Sequence, residues 1–207
     1  MSQADLRLYR FPLSGHSHRA ELMLSLLELP ARLITVDLAH QEHKQPAFLA
    51  KNRFGQVPVL EDGDFTIADS NAILMYLAER YDTAHRYWPT EPEARAKIQR
   101  WLSVAAGELL AGPGAARLVR VFNAPLDHEV AVRKARELFA LMEQEIGTSP
   151  FIVGTTPTLA DVALYSYTAH APEGDVPLEP YPAIRAWLGR IEALPGFIPM
   201  PKTPVKS

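Results

Sequence analysis

Apolar positions follow two different periods along this chain. Over the first 82 residues, short apolar runs alternate with helical stripes; from residue 93 onward only the helical period remains. Leu6, Leu8 and Tyr9 predict a strand that ends near Phe11-Pro12. Leu22, Leu26 and Leu29 mark one face of a helix over 17–29, which Pro30 ends. Residues 33–37 predict a second strand, 39–45 a polar loop and 46–50 a short helix opened by its proline. Two apolar runs, 57–61 and 64–68, flank Asp62-Gly63, a strong hairpin signal. A helix then runs to Tyr81, capped by Asp69-Ser70, with Ser17 expected to cap the first helix. The order strand, helix, strand, helix, strand, strand, helix is thioredoxin-like, with a right-handed crossover between the parallel strands.

Residues 83–92 are polar and carry two prolines, and are read as a linker. Beyond them Ala94, Ile98, Trp101, Leu102, Ala105 and Leu109 recur at helical spacing, and Gly112-Pro113-Gly114 is expected to break that helix. Helices follow over 115–122, 128–146 and 182–194, with Gly147 and Pro150 closing the second of these. Thr158-Leu159-Ala160-Asp161 forms a capping box, with Asp as its last member, before a largely apolar and therefore buried helix. The tail over 199–207, with three prolines and two lysines, is expected to be mobile. The predicted architecture is an α+β domain over 1–82, the linker, and an all-α domain over 93–207.

Composition narrows the chemistry. Among 207 residues, 47% are apolar and 22% charged, as in a globular protein. A net charge of −3 offers no basic footprint for nucleic acid. No apolar stretch approaches the roughly 20 residues that span a bilayer, and the first residues lack a leader pattern, so a cytoplasmic protein is expected. There is no cysteine, so any sulfur chemistry must use a ligand's sulfur. The His16/His18 and His40/His43 pairs lack carboxylate or thiolate support, and no metal site is expected.

The stretch from Asn52 to Ile73 carries the candidate site. Pro58 stands at the mouth of an apolar strand, where proline is confined to an edge, a bulge or the first residue. It pushes Val57 into an extended conformation, whose N–H and C=O can take an extended peptide as an added strand. A few residues on, the helix start at Asp69-Ser70 offers free N–H groups and a partial positive charge to a carboxylate. A peptide-reading backbone beside an anion-reading helix end suits a small anionic peptide.

Gly55-Gln56-Val57-Pro58 followed by Asp69-Ser70-Asn71-Ala72-Ile73 resembles the glutathione-binding half of the cytosolic glutathione transferases, of serine-type, theta-like kind. The Thr158–Asp161 box, Tyr181-Pro182-Ala183-Ile184-Arg185-Ala186-Trp187 and Leu194-Pro195-Gly196-Phe197 resemble that family's helical half, so the likeness covers nearly the whole chain. It implies a glutathione site on the first domain and a small apolar electrophile facing the second. By position, Val57 pairs its backbone with the cysteinyl part, Pro58 is cis, and Gln56 lies along the tripeptide. Asp69 and Ser70 hold the γ-glutamyl end; His43 or Lys44 meets the glycine carboxylate. Arg53 stands where relatives carry proline.

The family activates the glutathione thiol from a residue just after the first strand. Here Ser14 fits the serine-type position best, with His16 as the alternative donor. A free thiol is only about 3% thiolate at pH 7, and lowering its pKa by about two units takes roughly 2.7 kcal/mol. One charge-assisted hydrogen bond supplies about 1.5–3 kcal/mol, so a single donor at a helix start is enough. The resemblance implies a homodimeric detoxification transferase. A glutathione-dependent disulfide-bond or peroxide reductase, or a non-catalytic glutathione-binding module, are the alternatives.

Overall fold

The alternating apolar runs near the start of the chain build one mixed sheet. In the computed structural model, which describes residues 5–147 and 149–204, the strands are β1 (Leu6–Arg10), β2 (Ala31–Thr35), β3 (Val59–Asp62) and β4 (Phe65–Ala68), in the order β2-β1-β3-β4. β1 and β2 are parallel, starting at Leu6↔Ala31; β3 runs antiparallel to both β1 and β4. The parallel pair is linked by α1 (Gly15–Leu26), and the hairpin runs into α3 (Ser70–Tyr81). Leu6, Leu8 and Leu60 on the sheet are buried, as are Leu22, Met23, Ile73, Leu74 and Leu77 on the two helices. Burial at 0–2% makes each of these aliphatic side chains worth about 1.5–3 kcal/mol against exposure.

Two predicted details of this half change. β3 is an interior strand, not an edge; Pro58 is tolerated because it precedes the first paired residue, Val59, and so removes no ladder donor. The first helix begins two residues before the expected start. Ser14, extended at φ −89°, caps it by accepting the Ser17 N–H at 3.3 Å. Ser17 is a buried first-turn residue, not the cap, and its hydroxyl accepts the Phe11 N–H at 3.1 Å.

The chain divides into two compact units. One runs to Thr83 and includes Pro195–Pro201; the other holds Ala84–Leu194 and the segment from Lys202 onward. In the second unit the helices are α4 (Pro92–Ala106), α5 (Ala115–Phe122), α6 (His128–Ile146), α7 (Leu159–Ala169) and α8 (Pro182–Glu192). α2 is the short Pro46–Leu49 turn of the first.

Gly112-Pro113-Gly114 does not break the chain's helical course. A wide π turn over Leu110–Gly114 runs directly into α5, with the Ala115 N–H reaching back to the Leu110 carbonyl. The five-residue spacing tolerates the N–H that Pro113 lacks and gives its ring room. Gly112 fits only as glycine: a Cβ there would lie 2.8 Å from the Ala135 backbone nitrogen on α6.

The tail is held where it is described, contrary to the mobile tail expected. His18 Nε2–H donates to the Ile198 carbonyl at 2.9 Å and Met200 is buried. The Thr203 N–H donates to Glu173 at 3.0 Å. Residues 205–207 lie outside the described residues, as do residues 1–4, where the absence of a leader was read. Among the described residues no helix is long and apolar enough to cross a membrane.

Candidate functional site

Two helix starts and one loop of the first unit carry the residues singled out in the sequence. At the start of α1, Ser14 uses a hydroxyl lone pair to cap the helix, which leaves its O–H proton available to donate. His16 lies in the next half turn. Its Nδ1 is 3.2 Å from the Ser70 hydroxyl and 3.1 Å from Nη1 of Arg19. Burial, and then the Arg19 charge, hold the His16 imidazolium's pKa down at about 3, so the ring is neutral at working pH.

At the start of α3, Asp69 caps the helix through one carboxylate oxygen, Oδ1, which accepts the Asn71 N–H at 2.9 Å and the Ala72 N–H at 3.0 Å. Asp69 is exposed and holds a positive φ of 75°, a backbone conformation that costs a non-glycine residue about 1–3 kcal/mol and tends to occur at binding sites. Ser70 is buried beside it, its hydroxyl accepting from Arg19 Nη1 at 3.0 Å. The Ser70 backbone N–H has no partner among the described residues. The positive end of α3 therefore keeps a donor for an anion.

The loop before β3 is held by its own polar groups. Asn52 Nδ2 donates to the Gln56 carbonyl at 2.8 Å, and Asn52 Oδ1 accepts the Phe54 N–H at 3.1 Å. Arg53 is exposed, so the loop keeps its shape without a proline there. Lys44 Nζ donates to the carbonyls of Gly55 (2.9 Å) and Phe54 (3.3 Å). Gly55, at φ +58°, is where the two segments touch: a Cβ would lie 2.7 Å from the His43 carbonyl. The His43 side chain keeps a buried Nδ1 without a partner among the described residues, and burial together with Lys44 lowers its pKa. The Val57-Pro58 bond is cis. Val57 packs its side chain on Val36, Phe48 and Val59, while its backbone lies two residues ahead of the first ladder pair.

His16 and Ser70, 54 positions apart in sequence, are thus joined directly, and Lys44 is joined to the loop that carries Gln56 and Val57. Gln56 is exposed, and its carbonyl is tied down by Asn52. Ser14 makes no hydrogen bond to Ser70 or Val57 among the described residues. Arg19 is the residue sequence reasoning missed. It is 1% exposed and bridges the two helix starts. The available signal was a cation three residues after His16 on a helix in which Arg19 is the one Lys or Arg.

In the second unit Trp101 and Ala105 are buried, where the small side chains of α4 allow α7 to pack closely. Arg117 is a buried partner of Glu173, its Nε–H donating at 2.6 Å.

Comparison with known proteins matches residues 4–79 to the family model "Glutathione S-transferase, N-terminal domain" and residues 121–195 to "Glutathione S-transferase, C-terminal domain". Human glutathione S-transferase theta-2 is 33% identical over 177 residues, covering 81% of this chain and 72% of its own. Maize glutathione S-transferase 3 is 32% identical, with 99% of each chain covered. Among solved structures, a glutathione S-transferase from Pseudomonas fluorescens superposes with a TM-score of 0.89 at 32% identity, covering 94% of this chain and 98% of its own. A glutathione transferase homologue from Drosophila mojavensis, solved with bound glutathione, superposes with a TM-score of 0.85 at 27% identity, covering 93% and 89%.

Proposed function

The chain belongs to the glutathione S-transferase family, and from that premise we propose that Ser14 donates the hydrogen bond that ionises the glutathione thiol. The enzyme uses glutathione as co-substrate and transfers it to an electrophile; the electrophile fitted here is small and apolar. One observation carries the choice of Ser14 over His16. The Ser14 hydroxyl accepts the Ser17 N–H and keeps its own proton to give, whereas His16 is drawn to Ser70 at the other helix start. A serine O–H donated to a thiolate lowers the thiol pKa by favouring the charged form.

The rest of the site serves binding. Val57 pairs its free backbone groups with the cysteinyl unit, and Gln56 lies along the tripeptide. Ser70, with its backbone N–H, receives the γ-glutamyl carboxylate, and the second oxygen of Asp69 receives the γ-glutamyl ammonium. His43, whose buried Nδ1 has no partner among the described residues, takes the glycine carboxylate; Lys44 is occupied in clamping the Phe54–Gly55 carbonyls. The protein acts as a cytoplasmic homodimer, and Phe54, 81% exposed beside the site, is an apolar surface that a second copy would cover. Light scattering that gives a mass near 23.0 kDa at micromolar concentration would exclude the dimer.

The test of the donor is the thiolate absorbance of bound glutathione against pH. Losing the donor costs about 1.5–3 kcal/mol of thiolate stabilisation, so Ser14→Ala should move the titration to the alkaline side by about one to two units. Activity at neutral pH falls and recovers partly at high pH. A titration that stays in place for Ser14→Ala but shifts for His16→Ala assigns the donor to His16.

A further inference from the structure

We propose that Arg19 is a positioning residue, which holds the His16 imidazole as the tautomer protonated on Nε2 and so fixes an N–H donor beside the γ-glutamyl end of bound glutathione. The inference rests on the reading that the α3 start receives that end. Its evidence is a four-residue contact across two helices. Arg19 is a permanent cation and can only donate. Its Nη1 lies 3.0 Å from Ser70 Oγ, 3.1 Å from His16 Nδ1 and 3.4 Å from Asn71 Oδ1. A nitrogen that faces a guanidinium N–H must present a lone pair, so Nδ1 carries no proton. The Ser70 hydroxyl accepts from Arg19 and lies 3.2 Å from the same nitrogen; with glutathione bound, its own proton turns to the γ-glutamyl carboxylate. In a neutral ring the remaining proton is then on Nε2.

The charge environment agrees. Arg19 on the same helix is the charged group that acts on His16, while Ser70 faces the ring from α3 as an uncharged partner and Asn71 meets Arg19. Burial and the Arg19 charge both disfavour the imidazolium. The Arg19 charge also lies at the positive end of α3, where it adds to the potential that attracts a carboxylate. His16 thereby binds as a neutral donor whose hydrogen bond does not switch off between acid and alkaline pH. Arg19 itself touches no substrate; it acts through His16 and Ser70.

The experiment is nitrogen NMR of the imidazole rings in the whole protein, with His16 assigned by its absence in His16→Gln. In the parent, Nδ1 should be pyridine-like and Nε2 pyrrole-like, with no titration between pH 5 and 8. Arg19→Met removes both the cation and the donor. The pKa of the His16 imidazolium should then rise, with burial still holding it below its ordinary value, and KM for glutathione should rise roughly tenfold with kcat at saturation nearly unchanged. Arg19→Lys should restore the parent ring state in part. A proton on Nδ1 in the parent, or a parent His16 that titrates between pH 5 and 8, would overturn the proposal without any variant having to fold. So would an Arg19→Met protein that is folded by circular dichroism and keeps the parent ring state. If glutathione leaves the His16 and Ser70 resonances of the parent untouched, the reading of the α3 start as its binding site fails, while the ring state still decides what Arg19 does.

Discussion

Two helix starts in this molecule solve the same problem in opposite ways. At the start of α7, the chain supplies its own anion. Asp161 is 1% exposed and its two oxygens accept four donors: Thr158 N–H at 2.7 Å, Thr158 O–H at 3.0 Å, Ile152 N–H at 2.9 Å and Trp187 Nε1–H at 2.8 Å. At the start of α3, the corresponding third helical position is Ala72, with no carboxylate to turn back. Asp69 covers two N–H groups, the Ser70 amide stays unpartnered among the described residues, and a buried arginine adds positive charge. A filled helix start is architecture; an open one with a cation behind it waits for a ligand's carboxylate.

The sharpest way to break the comparison is to empty the filled end. Asp161→Ala strands four donors in the interior. At about 1 kcal/mol for each lost hydrogen bond, the variant should lose at least about 3 kcal/mol, read as a lower urea midpoint. Activity per folded molecule should stay at the parent level, because the carboxylate touches no substrate. A loss under about 1 kcal/mol would show that Asp161 is not structural in the sense argued.

A second self-supplied anion lies in the same unit. Glu173 accepts from His170 Nδ1 at 2.7 Å, Arg117 Nε at 2.6 Å and the Thr203 N–H and hydroxyl. Although burial opposes the charge, these donors hold the carboxyl at about 2, below its ordinary 4.5. A carboxylate with a depressed folded value stabilises the fold above its unfolded value. That contribution is lost as pH falls from about 4.5 through about 2. His170, kept neutral mainly by burial, works in the same direction, since it must charge as the pH drops. Acid unfolding of the parent should therefore steepen across that window, and Glu173→Gln should flatten it while lowering stability at neutral pH. An acid limb of identical slope in the two proteins would remove Glu173 from the account.

The open end should respond in binding rather than in stability. Ser70→Ala removes a hydroxyl that meets the γ-glutamyl carboxylate equally in the ground and transition states. Uniform binding of that kind appears in KM, with an expected rise of roughly tenfold and kcat unchanged. A tenfold fall in kcat at saturating glutathione, with KM constant, would contradict the assignment.

The contrast between the two ends also explains what could be read from the sequence. Thr158 and Asp161 are three residues apart, so the filled start was visible as a local pattern. The hairpin and the Asp69 cap were equally local, whereas the cis Val57-Pro58 bond was implied by the family resemblance. Arg19 was hard to read as a site residue because two of its partners lie 51 and 52 positions away, and nothing in a helical register says whether an arginine points to water or to another helix. Ser14 and Ser17 both have capping chemistry three residues apart, and the Phe11 N–H, which takes Ser17, is what decides between them. Gly112-Pro113-Gly114 misled for a similar reason: composition marks a breaker, but packing of Gly112 against Ala135 keeps the segment helical through a wider turn.

The smallest expected effect on stability belongs to Asp69→Gly, and it separates cap from ligand group. Replacing an aspartate cap by glycine costs only a few tenths of a kcal/mol. Glycine adds about 0.5–1 kcal/mol of backbone entropy cost, but relieves a positive φ of 75° that costs aspartate about 1–3 kcal/mol. These nearly cancel, so the urea midpoint should stay the same or rise slightly. Binding should not escape as easily. Asp69 spends Oδ1 on the Asn71 and Ala72 amides, and its other oxygen is the group assigned to the γ-glutamyl ammonium. Loss of a charge-assisted contact of about 1.5–3 kcal/mol, reduced by exposure to solvent, should raise KM for glutathione several-fold with little change in kcat. A desamino analogue of glutathione should bind parent and variant alike, since it lacks the ammonium. If instead the variant is destabilised by more than about 1 kcal/mol and its KM for glutathione is unchanged, Asp69 is a cap and nothing more. The strained backbone at the α3 start would then owe nothing to the ligand.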